Sequence, residues 1–181
     1  MTPTPAAVEL RMPVAALPTT TMTPPPEEAA PPTAASDPRA VPPGTSPQAS
    51  RAFQRIPVAI QDGPPVGGIG ATGIHVDKIW LGDRYEREGC VGESARFSLA
   101  RHTQVGVCFR VVHSRVEESV DVLWEKDGAP FRSRGVTIPD LHAYRTRAYL
   151  ALRREYVGEW KARVMSTDGV ELASASFTVE D

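Results

Sequence analysis

The sequence predicts an all-β fold: an antiparallel β-sandwich of seven or eight short strands behind a long Pro-rich segment. Three observations carry this. Apolar and polar residues alternate from Ile74 onward, Asp-Gly turns fall between the alternating runs, and proline is concentrated in the N-terminal third. Sixteen of the 18 prolines lie at or before Pro65, and of the 12 aromatic residues only Phe53 precedes residue 71.

The proline distribution sets the predicted domain boundary. Proline fixes φ and lacks an N–H donor, which bars Pro24-Pro25-Pro26 and Pro42-Pro43 from helix interiors and central strands. The Ala, Thr and Ser between them bury too little apolar surface to offset chain entropy. Residues 1–70 therefore read as a disordered Pro/Ala/Thr-rich linker, partly polyproline II, and residues 71–181 as the β-sandwich domain. Fully extended, the first 65 residues would reach on the order of 200 Å. Pro3–Pro5 and Pro24–Pro26 read as plain linker, with docking into aromatic grooves of partner modules as the alternative.

Each strand follows from period-two patterning, which puts one set of side chains on a core face and the other toward water. Ala95, Phe97 and Leu99 alternate with Ser94, Arg96 and Ser98. Val105, Val107, Phe109 and Val111 alternate with Gly106, Cys108, Arg110 and Val112. Val120, Val122 and Trp124 alternate with Asp121, Leu123 and Glu125. Trp160, Ala162 and Val164 alternate with Lys161 and Arg163, and Phe177 and Val179 with Ser176 and Thr178. Lys126-Asp127-Gly128 and Thr167-Asp168-Gly169 supply the positive φ of tight hairpin turns. Strands are expected near 74–81, 94–100, 104–113, 119–126, 130–137, 143–151, 157–166 and 170–179. Leu141, Tyr144, Ala148 and Leu152 also fit a helical stripe, so both strand and helix stay open over 141–155. Trp80, Phe97, Phe109, Trp124, Trp160 and Phe177 are the expected core anchors.

Charge and composition exclude some functions. Twenty basic against 22 acidic residues leave a formal charge of -2, unlike a dedicated nucleic-acid binder. No run of about 18 apolar residues is present to span a bilayer. Met1 to Pro18 holds one arginine and prolines that interrupt every apolar stretch, unlike a secretory signal. This leaves two expectations: a cytoplasmic protein, or one whose true start and anchor lie upstream.

Candidate chemistry is sparse. His75, His102, His113 and His142 lack metal-ligand spacing, so neither a metal nor another cofactor is expected. No catalytic constellation is visible, and the chain is not expected to be an enzyme. Cys90 and Cys108, separated by the Phe97 strand, are either a disulfide, in an oxidising compartment, or two free thiols. Gly68-Ile69-Gly70-Ala71-Thr72-Gly73 matches a dinucleotide-binding string, but prolines precede it and a strand-like run follows. It reads as the linker's flexible end. Arginine outnumbers lysine 17 to three. Arg132 and Arg134, and Arg145 and Arg147, are each two apart and share strand faces. They form a candidate basic surface for carboxylate, phosphate or sulfate groups. The competing reading pairs them with Glu117, Glu118, Asp121 and Glu125 across strands.

Leu123-Trp124-Glu125-Lys126-Asp127-Gly128, Tyr144-Arg145-Thr146-Arg147, and Gly158-Glu159-Trp160-Lys161-Ala162-Arg163-Val164 with Asp168-Gly169, Leu172 and Phe177-Thr178-Val179 resemble a bacterial family, domain of unknown function 2914. The likeness covers about residues 95–181. Val122 stands where members often carry a histidine two positions before the first tryptophan. The resemblance implies a C-terminal immunoglobulin-like β-sandwich associated with the cell envelope, often joined through a linker to a membrane segment, and no known activity. The expected role is a non-catalytic binding or interaction module on a Pro-rich stalk, its ligand a protein or an anionic envelope polymer. The alternative is a cytoplasmic interaction or regulatory module whose Pro-rich tail recruits partners.

Overall fold

A computed structural model of the chain describes residues 37–181, Glu88 excepted. The proline runs before residue 37, Pro3–Pro5 and Pro24–Pro26 among them, lie outside the described residues. The alternating runs form strands β1 (His75–Gly82), β4 (Arg96–Ser98), β5 (Gln104–Val112), β6 (Glu118–Lys126), β7 (Ala129–Ile138), β8 (Ala143–Ala151), β9 (Gly158–Ser166) and β10 (Glu171–Glu180). Two three-residue strands, β2 (Arg84–Glu86) and β3 (Gly89–Val91), were not expected. Over 141–155 the strand reading holds, followed by a 3-10 turn at Arg154–Tyr156.

Two sheets pack face to face. One has the order β1-β5-β8, the other β4-β10-β9-β6-β7, and β2-β3 form a separate hairpin. All pairings are antiparallel except β4 with β10, which run parallel. Between the sheets lie Val107, Phe109, Trp124, Ala162 and Val164, all buried. Phe177 organises the aromatic part of the core. It meets Phe97 edge-on at 5.8 Å and Trp124 edge-on at 6.1 Å, and stacks on Trp160 at 6.1 Å, geometries that suit the ring quadrupoles. Trp160 Nε1–H donates to the Tyr156 carbonyl at 2.7 Å.

Trp80 departs from the expected core set. It pairs with Cys108, on the outer side of the three-stranded sheet, and is half-buried. Alternation alone also suggests that β5 faces water on one side, yet every residue from Val105 to Val112 is buried. The reason is a third layer, built partly from residues assigned by composition to the linker.

Residues 37–70 differ from a disordered linker: they carry a helix and a docked strap. Helix α1 (Pro47–Arg55) starts at Ser46, whose Oγ accepts the Ala49 N–H at 3.1 Å, with Pro47 in the first turn, a favourable start. Arg39 donates to the Phe53 and Ile56 carbonyls at 2.8 and 2.6 Å, satisfying the helix's free C-terminal acceptors. Ala49 and Phe53, four apart, share the buried face. Phe53 meets the His75 ring edge-on at 4.8 Å, on the outer side of β1. Burying one phenyl ring contributes about 1.5–3 kcal/mol, enough to hold a short helix that would not persist alone.

The strap after α1 runs along the β1 edge and reaches β10. The Val66 N–H donates to Val76 O at 2.9 Å and the Gly68 N–H to Glu171 O at 2.8 Å. Both strands are irregular there, with bulges between Val76 and Lys78 and between Glu171 and Ala173. The glycine string is thus a close-packed crossing, not a flexible end. A Cβ on Gly67 would lie 2.5 Å from Leu172 O, closer than real contacts allow.

A buried charge cluster fastens the strap to the sheet. Arg110, on the outer side of β5, donates through Nε to Asp77 Oδ1 at 2.9 Å and through a terminal nitrogen to Asp77 Oδ2 and the Gln61 carbonyl. That nitrogen is also 3.6 Å from Asp62. Asp62 accepts from the Ala59 N–H at 2.7 Å and lies 2.7 Å from His142 Nε2. Asp77 accepts the Gly63 N–H at 2.9 Å. The side chains of Arg110, Asp77 and Asp62 are 4%, 0% and 3% exposed, so removing the cation strands two buried anions. Arg110→Met is expected to lower unfolding free energy by about 3–5 kcal/mol, read from urea titration.

Burial works against ionised Asp62, but the Ala59 N–H, His142 and Arg110 outweigh it and hold its carboxyl below the ordinary aspartate value. Such a group contributes its full stabilisation above the unfolded value. That contribution drains away as pH falls through the lowered folded value. The urea midpoint should therefore drop below about pH 4, and Asp62→Asn should remove part of that decline. An acid limb identical in the two proteins contradicts this assignment.

Candidate functional site

The third layer leaves one part of the three-stranded sheet open. At one end α1 and the strap cover His75, Asp77, Arg110 and Val112. At the other the β2-β3 hairpin lies over Trp80 and Cys108. The outward residues of β8, namely Arg145, Arg147 and Tyr149, stay exposed beside it.

The hairpin is held by tight contacts. Cys90 in β3 is disulfide-bonded to Cys108 in β5, 18 residues apart in sequence. Trp80 Nε1–H donates to the Cys90 carbonyl at 3.1 Å. Gly89 has φ +134°, and a Cβ there would lie 2.4 Å from the Trp80 ring. The Asp83 N–H donates to the Val91 carbonyl at 3.0 Å, and Gln104 Nε2–H to the Asp83 carbonyl at 3.2 Å.

Pairing within the hairpin sets Tyr85 opposite Cys90, and pairing within the sheet sets Arg147 opposite Cys108. The disulfide therefore brings Tyr85 and Arg147 together, with the guanidinium carbon 3.5 Å from the Tyr85 ring centroid. Tyr149 lies opposite Gly106, and Arg134 reaches from β7 to within 5.5 Å of the Tyr149 ring centroid. Between these two arginine–tyrosine contacts is a pocket of about 440 Å³ lined by Arg84, Tyr85, Cys90, Gln104, Gly106, Arg147 and Tyr149.

The four arginines named from the sequence are all exposed, but they do not form one cluster. Arg147 lines the pocket and Arg134 stands at its rim. Arg145 lies opposite Arg110 and Arg132 opposite Trp124. The cross-strand ion pairs that would have absorbed them are absent among the described residues, where no carboxylate lies within 4.0 Å of any of the four. Glu125 instead accepts from Arg163 at 2.8 Å, and Glu118 accepts from the Thr72 hydroxyl at 2.6 Å. Arg84 and Tyr85 belong to a hairpin too short to show periodicity. The only signal for Tyr85 was its nearness to Cys90.

The histidines are built into the fold. His75 is buried with Nδ1 3.0 Å from the Gly73 carbonyl, and burial pushes its pKa down. Burial also works against protonating His113, but Glu118 and the Leu141 carbonyl, 2.6 Å from Nε2, raise its pKa. His102 stacks edge-on against Phe97 at 5.4 Å. Among the described residues no three His, Cys, Asp or Glu side chains converge on a point able to hold a metal ion, and no helix is long and apolar enough to cross a membrane.

Two face-to-face sheets with strands passing repeatedly between them define an immunoglobulin-like β-sandwich. Residues 117–179, which run from β6 into β10, match the family described as "Protein of unknown function (DUF2914)". The match bears out the resemblance read from the Trp124 and Trp160 segments and starts later than residue 95. An immunoglobulin-like protein from Pseudomonas aeruginosa is similar in structure, with a TM-score of 0.43 and 18% identity, over 59% of this chain and 96% of that one. No curated protein matches the chain.

Closing an 18-residue separation constrains the unfolded chain by about 3 kcal/mol. The Cys90→Ala, Cys108→Ala double variant should unfold at correspondingly lower urea. Equal midpoints for the double variant and the oxidised wild type would count against a structural role for the bond.

Proposed function

We propose that the chain is a non-catalytic binding module displayed at the cell envelope on its Pro-rich N-terminal stretch, with an anionic envelope polymer as ligand. One observation carries this reading: Arg132, Arg134, Arg145 and Arg147 are exposed on the adjoining strands β7 and β8 with no carboxylate partner among the described residues. Unpaired cations displace the condensed counterions of a polyanion on binding, and planar guanidinium forks suit oxyanions. The disulfide supports an oxidising compartment over the cytoplasmic reading, because cytosolic thiols are kept reduced. The family implies an envelope location of the same kind. A protein ligand with an acidic face is the rival ligand class.

Retention of the full chain on immobilised sulfated and uronic-acid polymers tests the reading. Retention should weaken as ionic strength rises and should be lost when all four arginines are changed to alanine. Unchanged retention in that variant removes the surface. Alkylation and mass measurement of protein from its native cell tests the compartment. No alkylated cysteine is expected, and two alkylated thiols favour the cytoplasmic module.

A further inference from the structure

We infer that the pocket between β8 and the β2-β3 hairpin binds a single oxyanion group, phosphate, sulfate or carboxylate, with Arg147 as its principal donor. The inference rests on the polyanion reading and names the point where one acidic unit of the polymer is held. A guanidinium that stacks on an aromatic ring uses its face. Its five N–H donors lie in its plane and stay available for a bidentate acceptor. Arg147 is in that state: its guanidinium carbon is 3.5 Å from the Tyr85 ring centroid, and among the described residues its side chain has no hydrogen-bond acceptor and no carboxylate within 4.0 Å. The stack also removes rotamer freedom before any ligand arrives, which lowers the cost of binding.

The surroundings fit one acidic unit better than a spread-out contact. The pocket's volume, about 440 Å³, falls within the range of small-ligand sites, about 300–1,000 Å³. Its floor is Gly106, where a Cβ would come 3.1 Å from Cys90 Sγ, so a larger side chain would crowd the floor. Tyr85 and Tyr149, 41% and 47% exposed, offer amphipathic walls suited to a ring that carries the anion. Arg84 adds a second cation, part of whose charge is engaged by Asp83 at 3.3 Å. Gln104 is spent on the Asp83 carbonyl. Arg147, unlike Arg84, keeps all its in-plane donors free among the described residues.

The test uses the full oxidised chain, isotope-labelled, titrated with inorganic phosphate, inorganic sulfate and acetate, and separately with the sulfated and uronic-acid polymers. Saturable shifts are expected at Tyr85, Gln104, Gly106 and the Arg147 side-chain N–H for at least one free anion. Arg147→Lys keeps the charge and loses the planar fork, and should weaken that binding at least tenfold. Tyr85→Leu should weaken it as well, while Arg101→Lys, in the exposed turn between β4 and β5, should leave it unchanged. Anion binding unaffected by Arg147→Lys overturns the inference. So do non-saturating shifts spread over Arg132 and Arg145. If polymer retention stays salt-sensitive in either case, the broader polyanion reading survives while the pocket does not. If neither free anions nor polymers bind, both fall. Tight binding of one polymer class with weaker binding of the free anions supports the pocket and identifies the source of the acidic unit.

Discussion

The ion pair between Arg110 and Asp77, with Asp62 beside it, is the constraint around which the rest of the molecule is arranged. A guanidinium on the outer side of a central strand would ordinarily face water. Here it is covered, and the cover is stable only because two carboxylates and a backbone carbonyl replace the lost solvent. Once the strap is fixed at that point, α1 is carried over His75, the glycines cross to β10, and one half of the outer sheet face is closed. The hairpin closes most of the other half through the disulfide. The open strip along β8 is what these two covers leave, and the arginine–tyrosine pocket sits there for that reason.

Much of the sandwich was legible in the sequence because half-buried antiparallel strands write their geometry as period-two alternation. Val105 to Val111, Val120 to Trp124 and Trp160 to Val164 all have one face in the core, and their strand boundaries follow. Trp80 was misassigned because alternation shows which residues share a face, not which face is inward. The strap and α1 were hidden for a different reason. Their burial depends on a few side chains, Ala49, Phe53, Ile56 and Ile69, dispersed among prolines. Local composition registers the prolines and not the tertiary partners that make those few contacts sufficient. Gly67 and Gly68 are ambiguous in the same way, since glycine serves both slack chain and the closest backbone crossings.

The candidate site was half legible. Spacing by two placed Arg145 with Arg147 and Arg132 with Arg134 on shared faces. It could not reveal that only Arg147 and Arg134 meet tyrosines, because those contacts depend on a disulfide and on how two sheet edges approach. The same pattern gave no warning that Glu118 and Glu125 were engaged elsewhere, which is what leaves the basic side chains free. Unneutralised arginine on an edge strand also discourages edge-to-edge pairing, so β7 is protected from aggregation by the side chains proposed to recruit the polymer.

The parallel pairing of β4 with β10 ties Arg96–Ser98 to Thr178–Glu180, early and late elements of the same sandwich. Phe97 and Phe177 meet across that seam. During synthesis the emerging strands therefore lack the ring that joins Phe97, Trp124 and Trp160 until β10 has been made. A half-finished sandwich exposes indole and phenyl surface to other nascent chains, the hazard that chaperones relieve. The aromatic part of the core is thus incomplete until β10 is available.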